Sequence, residues 1–168
     1  MNKNKLSIIM MGVSASGKTL IGKMLAEKLG LKFIEGDDLH PLKNVEKMHR
    51  GEALTDDDRK PWLKKIENTL SESIKNKESI VLSCSALKYE YRNDLRKAGP
   101  VKFIFLEVSE EILTERLKAR KNHFMPYSLL KSQLDTLERP KKEETDIILI
   151  DASKSPEGVL EECISQLS

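Results

Sequence analysis

The stretch Gly12-Val13-Ser14-Ala15-Ser16-Gly17-Lys18-Thr19 decides the fold of this 168-residue chain. It matches the pattern GxxxxGK[ST], in which glycines let backbone N–H groups wrap around phosphate oxygens. An apolar run typical of a buried strand, residues 6–11, precedes it, and helical periodicity follows over about 17–29. Because a helix N-terminus also attracts anions, this context makes the match specific. We expect Gly12 to Thr19 to bind a nucleoside triphosphate, with Lys18 at the β- and γ-phosphates and Thr19 on Mg²⁺.

Four further apolar runs are typical of buried strands, and segments with helical periodicity separate them. The runs cover residues 32–35, 79–84, 101–107 and 146–150, and the helical segments cover about 61–76, 87–97, 110–121, 128–138 and 157–167. Strands that alternate with helices predict parallel pairing and right-handed crossovers. We therefore expect one α/β domain over residues 1–168, a three-layer sandwich with a five-stranded parallel sheet. Its ligands should bind at the carboxyl ends of the strands.

Composition argues against several classes of partner. The chain has 29 basic and 27 acidic residues, a formal charge of +2, which is too balanced for the dominating field of a nucleic-acid binder. No run of 18 apolar residues is present, so we expect no membrane span. The two cysteines, Cys84 and Cys163, lack metal-ligand spacing, and a reduced, cytoplasmic location is the better prediction.

Nucleotide binding alone is compatible with a switch, a motor or a kinase. A GTP switch needs Asn-Lys-x-Asp after a strand, whereas residues 76–79 read Asn-Lys-Glu-Ser and precede one. The third apolar run ends at Ser83-Cys84-Ser85 without an aspartate, so a second carboxylate near Mg²⁺ must come from elsewhere. Asp37 is the available candidate.

The segment Gly36-Asp37-Asp38-Leu39-His40-Pro41 follows the second strand and therefore lies at the carboxyl edge of the sheet. A carboxylate there could orient an attacking hydroxyl, accept its proton or hold a Mg²⁺-bound water, and the sequence leaves these roles open. For Asp38, an aspartate-rich turn that caps the next helix explains the pattern equally well. We expect Asp37 and His40 to contact the acceptor.

Three cations are candidates for binding an anionic acceptor. The guanidinium of Arg59 is suited to a carboxylate or phosphate, and the alternative is a solvated surface charge. Lys88 and Arg92 lie four residues apart on one predicted helix, and we expect both to face the mouth of the sheet unless they form surface salt bridges. Asp56 is interpreted as first-turn helix chemistry and Trp62 as packing.

A basic segment from Arg116 to about residue 130 predicts a lid. Arg116 and Arg120 lie one helical turn apart, and the helix then breaks before Pro126. Phosphoryl transfer needs water excluded and charge stabilised, and a basic closing flap supplies both. Arg120 is the preferred cation for the transition state or the adenine side, and Arg116 is second. A solvated basic helix end is the alternative.

Together these motifs resemble those of the gluconokinases, a group of small P-loop carbohydrate kinases. The resemblance covers nearly the whole chain. Its blocks are residues 12–19, 36–41, 44, 47–48, 51, 54–63, 84–88, 91–92, 120–124 and 132–138. It implies the P-loop fold of the nucleoside-monophosphate-kinase type with a helical lid, and ATP-dependent phosphorylation of D-gluconate at its 6-hydroxyl. It also implies an enzyme that is commonly a homodimer.

The resemblance also implies roles for individual residues. Lys18, Asp37 and Arg120 are expected to act in catalysis, Gly12 to Thr19 with Arg116 and Arg120 to bind ATP and Mg²⁺, Thr19 and Asp37 to hold the metal, and Asp37, His40, Arg59, Lys88 and Arg92 to face gluconate. The chain departs from the family pattern at Asn122, where glycine is frequent, and at Ala15 in the loop. We expect alanine to be tolerated at position 15 only if its φ stays negative.

Two other functions stay open at this point. A shikimate kinase would share the fold and also phosphorylate a hydroxy acid, but this chain has Ser83-Cys84-Ser85 where that family usually has a glycine-rich segment. A regulator that binds ATP without catalysis is the alternative from another class. Intact Lys18, Thr19 and Asp37 argue against it.

Overall fold

Five short strands form one parallel sheet in the computed structural model, which describes residues 5–120 and 127–168. The strands are β1 (Ser7–Met11), β2 (Lys32–Glu35), β3 (Ile80–Ser83), β4 (Lys102–Glu107) and β5 (Ile147–Asp151). Their order across the sheet is β2-β3-β1-β4-β5, and every neighbouring pair is parallel. This confirms the predicted sheet.

Seven helices within the described residues cover the sheet. They are α1 (Lys18–Leu29), α2 (Leu42–His49), α3 (Asp56–Lys75), α4 (Tyr89–Arg96), α5 (Glu110–Ala119), α6 (Tyr127–Thr136) and α7 (Pro156–Leu167), and a short 3₁₀ turn spans Gly36–Leu39. The sequence analysis did not predict α2 or the 3₁₀ turn. None of the helices in this part of the chain is long and apolar enough to cross a membrane.

The start of α3 lies five residues earlier than predicted. Thr55 caps this helix, since its hydroxyl accepts a hydrogen bond from the Asp58 N–H at 3.1 Å. The Asp58 carboxylate accepts one from the Thr55 N–H at 2.9 Å, which completes a capping box. The box fixes the first turn at Asp56, so Pro61 lies inside the helix instead of opening it.

Strand β1 is buried along its whole length. Ile9 and Met11 pack on one side with α3 and α4, whereas Ile8 and Met10 pack on the other with α1 and α7. Because successive side chains of a strand point to opposite faces, an unbroken apolar run is what a strand between two helical layers requires.

The loop that follows β1 lies where the order of the strands across the sheet changes direction. The chain crosses from β1 to the β3–β2 side and later returns to β4 on the other side of β1. Ligands of open α/β sheets bind at this switch point. Gly36 lets the end of β2 approach β3 closely, since a Cβ at this position would lie 1.9 Å from the Ser83 carbonyl oxygen. No other residue fits there.

Candidate active site

The loop Gly12–Gly17, here called the phosphate loop, connects β1 to α1. Gly12 and Gly17 have φ values of +145° and +102°, which favour glycine. Lys18 folds back over the loop, and its Nζ donates hydrogen bonds to the carbonyl oxygens of Gly12 and Val13 at 2.9 and 3.0 Å. Burial lowers the pKa of Lys18, and the nearby carboxylates of Asp37 and Glu35 oppose that shift.

The N-terminus of α1 fits an anionic ligand. It has no capping side chain and no acidic residue in its first turn. By contrast, Thr55 caps α3 and Ser155 caps α7. The first N–H groups of a helix have no acceptor within it, so an uncapped N-terminus leaves them available to a phosphate group.

Ala15 has a φ of +67°, in the left-handed region. Alanine is therefore accommodated here at a positive φ, and the expectation that it is tolerated only at a negative φ is wrong. The loop must turn tightly to direct its N–H groups inward, and Arg116 holds the turn because its Nη1 donates to the carbonyls of Ala15 and Ser16 at 3.1 and 3.3 Å. A left-handed conformation costs a non-glycine residue about 1–2 kcal/mol.

Replacing Ala15 with glycine is expected to raise the free energy of unfolding by about 0.5–1 kcal/mol. Glycine avoids the left-handed penalty, although its more flexible unfolded state offsets part of the gain. Urea denaturation followed by the fluorescence of the single tryptophan measures the change. Ala26→Gly inside α1 is the control and should lower stability by about 1 kcal/mol or more. A less stable Ala15→Gly protein would contradict the prediction.

Glu35, which the sequence analysis did not single out, lies against Thr19. The Thr19 hydroxyl donates a hydrogen bond to Glu35 Oε2 at 2.5 Å. The Ser83 hydroxyl donates to Glu35 Oε1 at 2.6 Å, and the backbone N–H of Asp37 lies 3.4 Å from the same oxygen. The only signal in the sequence was its position at the end of β2, one residue before the glycine that adjoins β3.

These oxygen groups suit Mg²⁺. Thr19, Glu35 and Asp37 offer a hydroxyl and two carboxylates, the hard ligands that this ion prefers. The described residues contain no cluster of three or more His, Cys, Asp or Glu that could form a complete metal cage. In phosphoryl-transfer sites Mg²⁺ is held by few protein ligands together with water and substrate phosphates.

Two cavities meet at the phosphate loop. The α3 cavity has about 630 Å³ of empty space including its mouth, and its lining includes His40, Arg59, Trp62, Ser85, Leu129 and Gln133. The loop cavity has about 1440 Å³ on the same measure, and its lining includes Ser16, Gly17, Thr19, Arg116, Arg120 and Lys154. Ser14, Lys18 and Asp37 line both. A group that moves from one cavity to the other therefore passes these three residues.

His40 is held as a neutral hydrogen-bond donor. Asn44 Nδ2 lies 2.8 Å from the Asp58 carbonyl oxygen, which identifies that atom as the NH₂ group, since two oxygens would repel there. The same Nδ2 lies 3.2 Å from His40 Nδ1, so Nδ1 must accept and Nε2 must carry the proton. The ring stacks on Trp62 with centroids 4.1 Å apart. Burial and, secondarily, the charge of Arg59 lower the pKa of His40 to about 4.

Acidification should therefore destabilise the protein through His40. Its folded pKa of about 4 lies below the ordinary value of 6.5, so the unfolded chain binds more protons as the pH falls below 6.5. Between pH 7 and pH 5, wild type should lose about 1–2 kcal/mol more unfolding free energy than His40→Gln. Urea titrations of both proteins at the two pH values measure this difference. Equal losses would show that His40 titrates normally.

Arg59 points into the α3 cavity from the first turns of α3. It is 7% exposed, so the alternative of a solvated surface charge is excluded. Its Nη1 donates to the hydroxyl of Tyr91 at 3.2 Å. A buried guanidinium beside an open cavity is the arrangement expected of a carboxylate-binding group.

Arg92 does not face the cavity as predicted, but is buried against Glu144. It is completely buried, and its Nε and Nη2 donate to the two oxygens of Glu144 at 2.7 and 3.0 Å. Its Nη1 donates to the carbonyl oxygens of Ala86 and Leu87 at 2.9 and 3.3 Å. The prediction that Arg92 faces the acceptor is therefore wrong, because its donors bind Glu144 and the loop that follows β3. Arg92 joins that loop to the segment before β5.

Lys88 does not line the α3 cavity. Its Nζ lies 2.9 Å from Asp56 Oδ1, across the gap between α4 and α3. The predicted pair of cations that face the acceptor from one helix is therefore absent from the described structure. Lys88 is the N-cap residue of α4, and that position directs its side chain to the first turn of α3.

The two predicted lid arginines line the loop cavity. Arg116 also donates through Nη2 to the Ala152 carbonyl at 2.7 Å, so it braces the phosphate loop against the segment after β5. Arg120 is exposed just beyond α5, and its charge contributes to lowering the pKa of Lys18. Residues 121–126 of the predicted lid, which include Asn122, His123 and Phe124, lie outside the described residues, and residues 127–130 form the start of α6.

Gln133 is a second residue that the sequence analysis did not assign to the site. It lies on α6, and its Oε1 accepts a hydrogen bond from the Ser14 N–H at 2.7 Å. Because it also lines the α3 cavity, Gln133 joins the phosphate loop to the helix that follows the predicted lid. A contact across 119 residues leaves no local signal in the sequence.

Comparisons with known proteins agree with this geometry. The family model for shikimate kinase matches residues 14–168. The thermosensitive gluconokinase of Escherichia coli (strain K12) is 48% identical over 158 residues, which cover 94% of this chain and 84% of that protein. The gluconokinase of Gluconobacter oxydans (strain 621H) is also 48% identical, with 94% and 88% covered.

Solved structures give the same picture. A crystal structure of a gluconokinase from Sinorhizobium meliloti 1021 is 46% identical, with a TM-score of 0.88 over 96% of this chain and 91% of that chain. The shikimate kinase from Aquifex aeolicus has a TM-score of 0.60 over 96% of both chains at 19% identity. That likeness shows the shared fold alone.

Proposed function

Because this chain belongs to the gluconokinases, as relatives 48% identical over 94% of its length show, we propose that it transfers the γ-phosphoryl group of ATP to the 6-hydroxyl of D-gluconate. The products are 6-phospho-D-gluconate and ADP. The observation that carries the proposal is the meeting of two cavities at Ser14, Lys18 and Asp37. One cavity opens at an uncapped helix N-terminus and the other contains a buried arginine.

On the nucleotide side, Mg²⁺ bound to ATP supplies charge neutralisation and orients the phosphates. Thr19 would hold this ion through its hydroxyl, which donates a hydrogen bond to Glu35 Oε2 at 2.5 Å. Lys18 lies over the phosphate loop and would shift from the carbonyls of Gly12 and Val13 to phosphate oxygens. Arg116 keeps the loop in shape, and Arg120 adds positive charge at its outer edge.

On the acceptor side, Arg59 would bind the gluconate carboxylate, since its Nη1 is held by Tyr91 and its side chain lines the cavity. His40 would donate from Nε2 to a substrate hydroxyl, because Asn44 occupies Nδ1. Asp37 lines both cavities and would orient the 6-hydroxyl and take its proton. Lys18 contributes the positive charge next to the transferring group.

We also propose that the enzyme works as a homodimer in the cytoplasm. The resemblance to the gluconokinases supports the dimer. The free, buried state of both cysteines supports a reducing compartment. Size-exclusion chromatography with light scattering measures the mass in solution, and a mass near 19.1 kDa would exclude the dimer.

A coupled assay for ADP release from Mg-ATP tests the function. The assay is run with gluconate, other aldonates, shikimate and no acceptor, and we expect gluconate-dependent turnover well above the rate without acceptor. Turnover with shikimate but not with gluconate would favour a shikimate kinase. ATP binding without turnover on any of these acids would favour a regulator that binds ATP without catalysis.

A further inference from the structure

Four side chains form a bridge between α3 and α4 beside the α3 cavity. Asp56 and Arg59 lie three residues apart on α3, and Lys88 and Tyr91 lie three residues apart at the start of α4. Lys88 Nζ is 2.9 Å from Asp56 Oδ1. The Tyr91 hydroxyl contacts the same Oδ1, and Arg59 Nη1 lies 3.2 Å from that hydroxyl. The bridge therefore runs from Lys88 through Asp56 and Tyr91 to Arg59.

The hydrogen bonds in this bridge have only one consistent direction. An ionised aspartate can only accept, and a guanidinium can only donate. The Tyr91 hydroxyl must therefore donate to Asp56 and accept from Arg59. Hydrogen bonds from Tyr91 and Lys88 lower the pKa of Asp56, and burial raises the pKa of Tyr91, so these protonation states persist around neutral pH. A hydroxyl that donates to a carboxylate is also a better acceptor for the next donor.

Exposure distinguishes the two α3 residues of the bridge, Arg59 and Asp56. Arg59 is 7% exposed and lines the α3 cavity, whereas the side chain of Asp56 is 53% exposed and faces solvent. Without the Tyr91 hydroxyl between them, the arginine would be drawn toward the aspartate and away from the cavity. The hydroxyl keeps one nitrogen of Arg59 hydrogen-bonded at a fixed place beside Asp56, while the Arg59 side chain lines the cavity.

We propose that Tyr91, Asp56 and Lys88 are positioning residues that aim Arg59 at the carboxylate of the acceptor, and that Lys88 acts through Asp56 without touching the substrate. This inference rests on the proposed function, because it assigns the anionic end of the acceptor to Arg59. It explains why a lysine at the mouth of the sheet faces Asp56 instead of the cavity. It also gives Asp56, interpreted from the sequence as ordinary helix chemistry, a role in acceptor binding.

Steady-state kinetics of Tyr91→Phe test the proposal. Removal of one hydroxyl should raise the KM for gluconate about tenfold, the effect of losing a hydrogen bond to a charged group, while the KM for ATP and kcat change less than threefold. Calorimetry should show the same loss in the Kd for gluconate measured without ATP. Tyr89→Phe is the matched control, since its ring packs under Lys141 without a described hydroxyl contact, and it should behave as wild type.

A purely structural role for Tyr91 would instead lower the melting temperature and affect both substrates alike. Asp56→Asn is a second variant on an exposed side chain, and it should also raise the gluconate KM selectively. Unchanged gluconate KM in both folded variants, or parallel changes in the two KM values, would overturn the inference alone. Absence of gluconate-dependent turnover in wild type would overturn the proposed function and this inference with it.

A double-mutant cycle tests the part that concerns Lys88. Lys88→Met should raise the gluconate KM about threefold to fivefold in wild type and should have no effect in the Asp56→Asn background. If Lys88 contacted the substrate directly, the rise would be the same in both backgrounds. That result would restore Lys88 as a substrate-binding residue and overturn its assignment as a positioning residue.

Discussion

Replacing Lys18 with alanine is expected to lower kcat at least ~100-fold, because positioning and charge stabilisation supply most of the catalysis in phosphoryl transfer. Lys18 is the only lysine that lines both cavities among the described residues. Its ammonium group is already within the loop, hydrogen-bonded to Gly12 and Val13, so it reaches the transferring group without a large movement. The coupled assay at saturating gluconate and Mg-ATP measures the loss.

The same variant should keep its stability. Burial lowers the pKa of Lys18, which means that burying its charge lowers the free energy of unfolding. Removing the charged group relieves this cost and offsets the loss of its two hydrogen bonds. We therefore expect a melting temperature close to that of wild type. Lys28→Ala, at the exposed other end of α1, is the control and should retain full activity. Substantial turnover in a folded Lys18→Ala protein would remove the lysine from the catalytic assignment.

The fold was predictable from the sequence because its signals are local and repeated. Unbroken apolar runs bounded by glycine or polar turns identify strands that are buried on both faces, and β1 is such a strand. The missed helix α2 is short, and only one of its residues, Asn44, is buried, so it lacks the buried apolar residues that mark the other helices. Helical periodicity placed the start of α3 at about residue 61, although Asp56 was interpreted as first-turn chemistry, and the capping box at Thr55, which fixes the start at Asp56, was overlooked.

The candidate site was only partly predictable, since several of its contacts join distant parts of the chain. Arg92 has the residue type and sequence position of a substrate ligand, yet Glu144, 52 residues later, binds its guanidinium. Nothing local distinguishes an arginine that binds a ligand from one that holds two loops together. Glu35 was overlooked for the same reason, because its importance comes from the approach of Thr19 and Ser83.

Ala15 shows a different limit. The sequence indicates a tight loop, and the expectation of a negative φ followed from the usual cost of the left-handed region for alanine. The structure adopts that conformation at +67°, where the backbone carbonyl of Ala15 accepts a hydrogen bond from Arg116. Strain of this kind is tolerated where the surrounding contacts fix the backbone, and such positions are concentrated at functional sites.

The position of Glu35 also separates two roles that the sequence left open for Asp37. The carboxylate hydrogen-bonded to the Thr19 hydroxyl is that of Glu35, at the place where Mg²⁺ would bind. Asp37 follows two residues later and lines both cavities. We therefore expect Asp37 to act on the acceptor hydroxyl, and its predicted part in holding the metal to be the smaller one.

Replacing Asp37 with asparagine should consequently lower kcat at least ~100-fold, and excess Mg²⁺ should not restore the rate. Asparagine keeps the shape of the side chain but cannot take a proton, so the loss reports the carboxylate itself. Glu35→Gln is the matched comparison, and there we expect the Mg²⁺ concentration for half-maximal rate to rise about tenfold, with activity recovered when the metal is raised. Rates at several Mg²⁺ concentrations, with folding checked by circular dichroism, measure both effects. Recovery of the Asp37→Asn enzyme at high Mg²⁺ would assign Asp37 to the metal, and near-normal turnover at ordinary Mg²⁺ would remove it from catalysis.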